Sequence, residues 1–553
     1  MNSLKIPNFI PGPPGTGKTH KWLKNKYAGF LKQYDWDRIV ILSHTNTAAD
    51  EIIKAVNKLP ELENESDTNL KEQICTIHSY LRAEYVSIDK YERKDHVDFC
   101  KDNSGMNIVK KSTSWDKHPL YEFISHAHGK GYDLNSEEEL EKFWALCERS
   151  RYQKYRLQGP GGFLKLKEKY DKWRNDPEHK RVDFVDMIDN FRFEAAIPTD
   201  IDVLIVDEAQ DCSKPQIAAL QKAATYAKEF IFIGDADQTI HEYAGSDPEY
   251  FYQLANTEQA KANELTEGLR CGQTINKICR NIIAPVWKEY GRYSERTWTP
   301  TDVVGKSYYI PRLDQGCKSK DILINKILNT DETFLFTYRG NPTHKSINTF
   351  LQDNGIDYKM VSGSAHVSRE HFNCFKNWKT FMNDKVSKQQ IKEYWKLMGS
   401  RIKVNGLGDV DKLKPLIDKE YNIQELIDAG YLKPEVKQFE KLSQLLNYED
   451  LSKNEKLISK IPYINKVLTN GMDTTKKPRV QHDTIHKVKG LTFDNIIVDL
   501  SVWRPEPRNF EPTRLAYVAY SRGKTDCWSI GSSSPSRVSL AGIQNNRREI
   551  LEL

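Results

Sequence analysis

No stretch of the 553-residue chain approaches the roughly 20 consecutive apolar residues that a membrane-spanning helix needs, so a membrane partner is not expected. The opening MNSLKIPNFIPGPPG has neither the basic start nor the apolar core of a secretory signal, because Pro and Gly interrupt it at once. The expected location is therefore the cytoplasm, or the nucleus or cytoplasm of a host cell if the gene is viral. Nine cysteines, an odd number, are scattered from Cys75 to Cys527 without a single C-x-x-C. They read as reduced thiols acting as small core residues, not as a disulfide framework or a metal site. Internal repeats, coiled-coil heptads and low-complexity tracts are absent as well. Excess charge of one sign is scarce: 82 Lys and Arg against 77 Asp and Glu leave a net +5, too little to argue for nucleic acid by itself.

What the chain does have is length and alternation. With 38% hydrophobic and 29% charged residues and a mean hydropathy of −0.68, it is expected to fold as two or more domains. Short β-branched or aromatic runs stand at Arg38–Ser43, Val203–Val206, Phe230–Ile233, Phe334–Thr337 and Ile496–Leu500. Helix-like sequence separates them, which is the pattern of buried parallel strands in an α/β fold. Two long, polar, Lys-rich segments lack such runs and read as mostly helical insertions. Within the first, Arg149, Arg151, Tyr152, Lys154, Tyr155 and Arg156 interleave charge with rings, and Lys165, Lys167, Lys169, Tyr170, Lys172, Trp173 and Arg174 follow. Either a phosphate-tracking surface or a solvated helix face with its rings turned to the core would give this pattern.

Chemistry is concentrated in two places. Gly12-Pro-Pro-Gly15-Thr16-Gly17-Lys18-Thr19 satisfies G-x-x-x-x-G-K-[ST], whose glycines let backbone N–H groups turn toward phosphate oxygens. Lys18 would reach the β- and γ-phosphates, and Thr19 would offer its hydroxyl to Mg²⁺. Val203-Leu-Ile-Val is followed by Asp207-Glu208-Ala-Gln210-Asp211, which puts carboxylates at the carboxyl edge of a parallel sheet. There Asp207 could hold Mg²⁺ and Glu208 could orient or deprotonate an attacking water. ATP and Mg²⁺ are thus the expected cofactors.

These segments, with Gly234-Asp-Ala-Asp237-Gln238 downstream, resemble motifs of the UvrD/Rep/PcrA helicases of superfamily 1A. Ser43-His44-Thr45-Asn46, Thr76-Ile-His78-Ser79, Asp183-Phe184-Val-Asp186, Leu265-Thr-Glu-Gly-Leu-Arg270, Thr484-Ile-His486-Lys-Val-Lys489-Gly490 and Leu515-Ala-Tyr517-Val-Ala-Tyr-Ser521-Arg522 resemble further motifs in the family's order. The resemblance implies two RecA-like parallel-sheet domains, each carrying an insertion, with ATP bound between them. Domain 1A would comprise residues 1–82 and 182–264 around an insertion 1B at 83–181. Domain 2A would comprise 265–363 and 479–553 around an insertion 2B at 364–478. It also implies that Gln238 senses the γ-phosphate, that Arg270 and Arg522 reach the transferring phosphoryl group from the second domain, and that Gly490 lies at the nucleotide. His44, Thr45, Asn46, His78, Tyr243 and His486 would contact the strand, with Tyr243 stacking on a base.

The implied activity is ATP-dependent translocation along single-stranded DNA and unwinding of tailed duplexes, 3′→5′, in replication, recombination or repair. RNA-directed activity of another superfamily 1 branch and a non-catalytic scaffold are the alternatives. Four positions depart from the family. Met1 stands too near the loop for the helix that carries the glutamine motif, Leu269 replaces a Tyr that stacks on adenine, Thr492 replaces a ribose-binding Glu, and Ala244 replaces an Arg beside Tyr243. Poor discrimination among purine triphosphates is expected from the first three.

Overall fold

The structure is a computed structural model that describes residues 5–63, 65–83, 119–147, 159–174, 184–291, 296–398, 420–447, 455–500 and 510–531. The chain divides into two compact units, one of residues 1–271, 280–301 and 507–517, the other of 272–279, 302–506 and 518–553. The first unit thus runs past the expected boundary at 264 and takes back two later segments.

The first unit is built on five strands: β1 (Asn8–Pro11), β2 (Ile39–Ser43), β3 (Ile74–Thr76), β4 (Val203–Val206) and β5 (Glu229–Gly234). Their order is β1-β5-β4-β2-β3 and every pairing is parallel. All carboxyl ends therefore open on one edge. Every residue of β2 and β4 is buried, which is why these strands read as unbroken apolar runs: helices cover both faces of the sheet. Ile39, Ile41, Val203, Ile205, Ile231 and Ile233 pack against Leu23 and Tyr27 after the phosphate-loop motif and against Ile52, Ile53 and Val56 of the helix Asn46–Val56.

The second unit holds β6 (Ser307–Ile310), β7 (Phe334–Tyr338), β8 (Tyr358–Met360), β9 (Val480–Thr484), β10 (Asn495–Asp499) and β11 (Cys527–Ile530). The order is β6-β11-β10-β7-β9-β8, again parallel throughout. The five expected strands are β2, β4, β5, β7 and β10, interior strands of the two sheets. β9 escaped notice because its sequence, VQHDT, is polar although His482 and Asp483 are buried.

The two insertions are helical over their described residues. In the first, helices Pro119–Lys130, Glu137–Leu146 and Gly159–Arg174 enclose a core of their own, with the Phe123 ring in contact with both Phe143 and Phe163. Tyr170 is fully buried in that core with Trp173 against it, and Lys167 pairs with Asp171 at 2.6 Å, so the rings of this segment face inward. The residues from Arg149 to Arg156, and Asp183, lie outside the described part of the chain. The second insertion contributes helices such as Arg369–Lys376, Lys388–Leu397 and Ile461–Thr469, whose Phe372, Tyr394, Trp395 and Ile464 join the second sheet in one hydrophobic core. No helix among the described residues is long and apolar enough to cross a membrane.

Candidate functional site

β1 ends at Pro11, and the chain then closes the loop Gly12–Thr19. Gly12 N donates to Gly234 O at 3.0 Å, tying the loop's start to the end of β5. Gly15 and Gly17 take φ of 74° and 77°, the left-handed region that side chains avoid. Thr16 Oγ1 donates to Pro13 O at 2.8 Å. Lys18 is folded back into the loop and donates to Gly12 O at 2.7 Å and Pro13 O at 3.2 Å. Burial pulls its pKa below the ordinary lysine value, and Glu208, Asp235 and Asp207 oppose that pull. The first turn after the loop is wound as a π-helix over Lys18–Leu23, with Lys21 N and Trp22 N both donating to Gly17 O.

At the end of β4, Asp207 meets this loop: Thr19 Oγ1 donates to Asp207 Oδ2 at 2.8 Å across 188 residues of sequence. Burial, reinforced by Glu208, pushes the Asp207 carboxyl up to about 6, while Thr19 and Lys18 hold it down. Glu208 takes φ 53°, the one positive φ outside glycine among the described residues. That conformation is costly for a residue with a Cβ and is kept only where neighbours over-determine it. Gln210 is one of those neighbours. Its Nε2 donates to Glu208 Oε2 at 2.5 Å while its Oε1 accepts from Asp235 N at 3.0 Å. A Cβ on Gly234 would lie 2.2 Å from that Oε1, so the close approach requires glycine there. Gln238 is buried and its Nε2 donates to Asp235 Oδ2 at 2.9 Å.

Two arginines that carried no role in the sequence reading hold this region together. Arg296, buried, binds Asp235 Oδ1 at 2.8 Å, Glu264 Oε1 at 3.1 Å and the carboxylate of Asp237. Asp237 also accepts from Tyr252 Oη at 2.8 Å and Trp287 Nε1 at 2.6 Å. Arg514, equally buried, donates through Nε to Thr239 O at 3.0 Å and through Nη2 to Glu242. Arg296 lies outside every quoted motif and Arg514 just before the Leu515–Arg522 motif, so neither was singled out.

Arg270 is found in the first unit itself, not supplied by the second as expected. The strip 265–271 runs beside the loop, with Leu265 N donating to Pro11 O and Leu269 N to Gly15 O, and Lys21 paired with Glu267 at 2.8 Å. A Cβ on Gly15 would lie 2.4 Å from Arg270 Cβ. Burial lowers the Arg270 pKa and the Glu208 charge partly restores it. Leu269 is half exposed. In the second unit Arg522 is buried, donating through Nε to Val518 O at 3.0 Å and through Nη2 to Ser521 Oγ at 2.9 Å.

Of the expected strand contacts, four gather at the carboxyl ends of β2 and β3. Thr45 caps the helix Asn46–Val56, accepting from Ala48 N at 3.1 Å, and is exposed with Asn46. His44 Nε2 lies 3.4 Å from Cys212 Sγ. His78, held by burial and by His44 at a pKa of about 4, stands in the helix Ile77–Ala83 after β3. Tyr243 belongs to the 3₁₀ turn Glu242–Ala244, and its side chain lies outside the described part. His486 is in the second unit, half-buried in the short helix Ile485–Val488 after β9, and Gly490 follows with φ 88°.

A buried ammonium inside a glycine loop, with a hydroxyl and a carboxylate meeting at a sheet edge, is a donor set that fits a magnesium-bound nucleoside triphosphate. Residues 1–259 match the family model described as the UvrD/REP helicase N-terminal domain. Over these residues the chain is similar to the UvrD/Rep/PcrA helicases. It is 25% identical over 396 residues to the ATP-dependent DNA helicase Rep of Escherichia coli K12, covering 65% of this chain and 55% of Rep. It is 21% identical over 196 residues to the ATP-dependent DNA helicase PcrA of Staphylococcus aureus Mu50, covering 34% of this chain and 26% of PcrA. The chain thus matches about half or less of the length of these relatives.

Proposed function

We propose that this chain is an ATP-driven motor that moves along single-stranded DNA and opens tailed duplexes. The observation that carries the reading is the meeting of Thr19 and Asp207 at 2.8 Å beside buried Lys18, with strained Glu208 next in the chain. When bound, magnesium-ATP supplies the phosphoryl group and the charge that these residues are built to hold. Thr19 and Asp207 would hold the metal, and Lys18 would neutralise phosphate oxygens. Glu208, its carboxylate aimed by Gln210, takes the proton of the attacking water. Arg270 and Arg522 stabilise charge that develops only in the transition state, which is what makes them worth most to turnover. Gln238, bonded to Asp235, reads the nucleotide state and passes it to the turn that carries Tyr243.

DNA rather than RNA is the proposed substrate because the relatives are named as DNA helicases. His44, Thr45, Asn46, His78 and Tyr243 are the proposed contacts in the first unit, and His486 in the second. Travel 3′→5′ is proposed because the segments bearing His44 and Tyr243 are of the UvrD/Rep type. The test is ATP-dependent strand separation of duplexes with either a 3′ or a 5′ single-stranded tail. Opening of the 3′-tailed duplex alone is the expected result; opening of the 5′-tailed one alone overturns the direction, and opening of neither overturns the helicase reading.

A further inference from the structure

The turn after β5 is gripped from two sides. On one side the helix Pro119–Lys130 of the insertion comes so close that Gly129 touches backbone: a Cβ there would lie 2.7 Å from both Ala244 O and Gly245 Cα. Gly245 answers with φ 98°, and a Cβ on it would lie 2.3 Å from Gly129 Cα. Lys130 Nζ adds a bond to Ser246 O at 3.3 Å. On the other side stands Arg514. Its fork spans the turn, Nε on the carbonyl of Thr239 and Nη2 on the carboxylate of Glu242, so the residues immediately before Tyr243 are fixed to the helix Glu511–Tyr520. That helix is followed directly by Ser521 and Arg522. Ala244, next to Tyr243, can offer no charge of its own.

We infer that Arg514 is a positioning residue that couples the turn carrying Tyr243 to the helix leading into Arg522. This rests on the motor reading given above. The planar guanidinium sends donors from two separate nitrogens along fixed directions, one to a carbonyl and one to a carboxylate, where an ammonium would offer them from a single flexible centre. With Gly129 packed against one face and Arg514 bonded to the other, the position of the turn is set jointly by the insertion helix and by the helix that holds Arg514.

The test uses the full-length chain with Arg514→Lys and, separately, Glu242→Gln. Three quantities are read: ATP turnover without nucleic acid, turnover with saturating single-stranded DNA, and the Kd for a fluorescent oligonucleotide. The expected result for Arg514→Lys is a fall of about tenfold in the DNA-stimulated rate, with basal turnover and Kd within about threefold of the parent. Glu242→Gln, on a partly exposed side chain, should do the same in smaller measure, and it decides the matter if Arg514→Lys does not fold. A stimulation ratio unchanged in both folded variants overturns the role, and so does an equal fall of basal and stimulated rates, which is what loosened packing alone would give. A parent protein that hydrolyses ATP without any response to single strands overturns the motor reading itself, and this inference with it.

Discussion

Replacing Arg296 by Met removes a cation shared by three buried carboxylates and leaves a side chain of similar length in its place. Asp235 and Asp237 are fully buried and Glu264 nearly so, which means the charge they lose is not replaced by water. Each charge-assisted bond is worth about 1.5–3 kcal/mol. Breaking a buried ion pair by deleting one partner costs about 3–5 kcal/mol, because the other charge stays behind. Asp237 keeps Tyr252 and Trp287 as donors, and Asp235 keeps Gln238 and Tyr517. The loss should therefore sit near the lower end, about 3 kcal/mol. It can be read by chemical denaturation followed through tryptophan fluorescence, since Trp287 lies within the network and Trp298 packs edge-on against Tyr517 nearby. Adding Asp235→Asn to Arg296→Met should recover part of the loss, because the uncompensated charge is then removed. A loss below about 1 kcal/mol for Arg296→Met, or a double variant weaker than the single one, would refute the account of a charge-balanced network.

Lys18→Ala should bring ATP turnover to background while leaving the fold intact, since no other residue of the loop can carry that charge to the phosphates; retention of more than a few per cent of the rate, on the order of assay background, would dismiss the phosphate-loop assignment. Gly234→Ala drives a methyl group into Gln210, which aims Glu208 and caps Asp235, so turnover should fall by about a hundredfold; a change within threefold would mean that Gln210 is not needed for the geometry. His482 is fully buried, and burial, with His344 adding to it, holds its pKa at about 4. For a base whose folded pKa is depressed, the stability it contributes is complete above the unfolded value of about 6.5 and is lost as pH falls toward 4. His366 behaves alike, so stability measured by denaturation should drop between pH 6.5 and 4, and His482→Gln should flatten part of that slope; an identical pH profile in the variant contradicts it.

Phosphate chemistry was readable in the sequence because it forces its residues into contiguous motifs. A glycine loop must be local, and Asp207 and Glu208 must follow a buried apolar run. The central strands were legible for the same reason, each carrying an unbroken run of at least three apolar residues. What stayed hidden depends on the chain returning to itself. Arg296 and Arg514 act on residues that lie 61 and 275 positions away; Arg514 directly precedes the Leu515–Arg522 motif, yet no local pattern announces either bond. Arg270 was recognised by its motif but expected from the second domain, whereas backbone bonds from Leu265 and Leu269 lay its strip against β1 and the loop. β9 was invisible because its buried His482 and Asp483 replace the apolar alternation that marks a strand. Gln210 stood in a recognised motif, but its double bond to Glu208 and Asp235 is a fact of the folded site alone.

The most direct measurement of the central claim is the rate of ATP hydrolysis by the full-length chain with and without a single-stranded oligonucleotide, DNA and RNA in parallel. The account predicts slow turnover alone and an increase of at least about tenfold with DNA, larger than with RNA. A rate indifferent to single strands, or the absence of hydrolysis with Lys18, Asp207 and Glu208 intact, would contradict it.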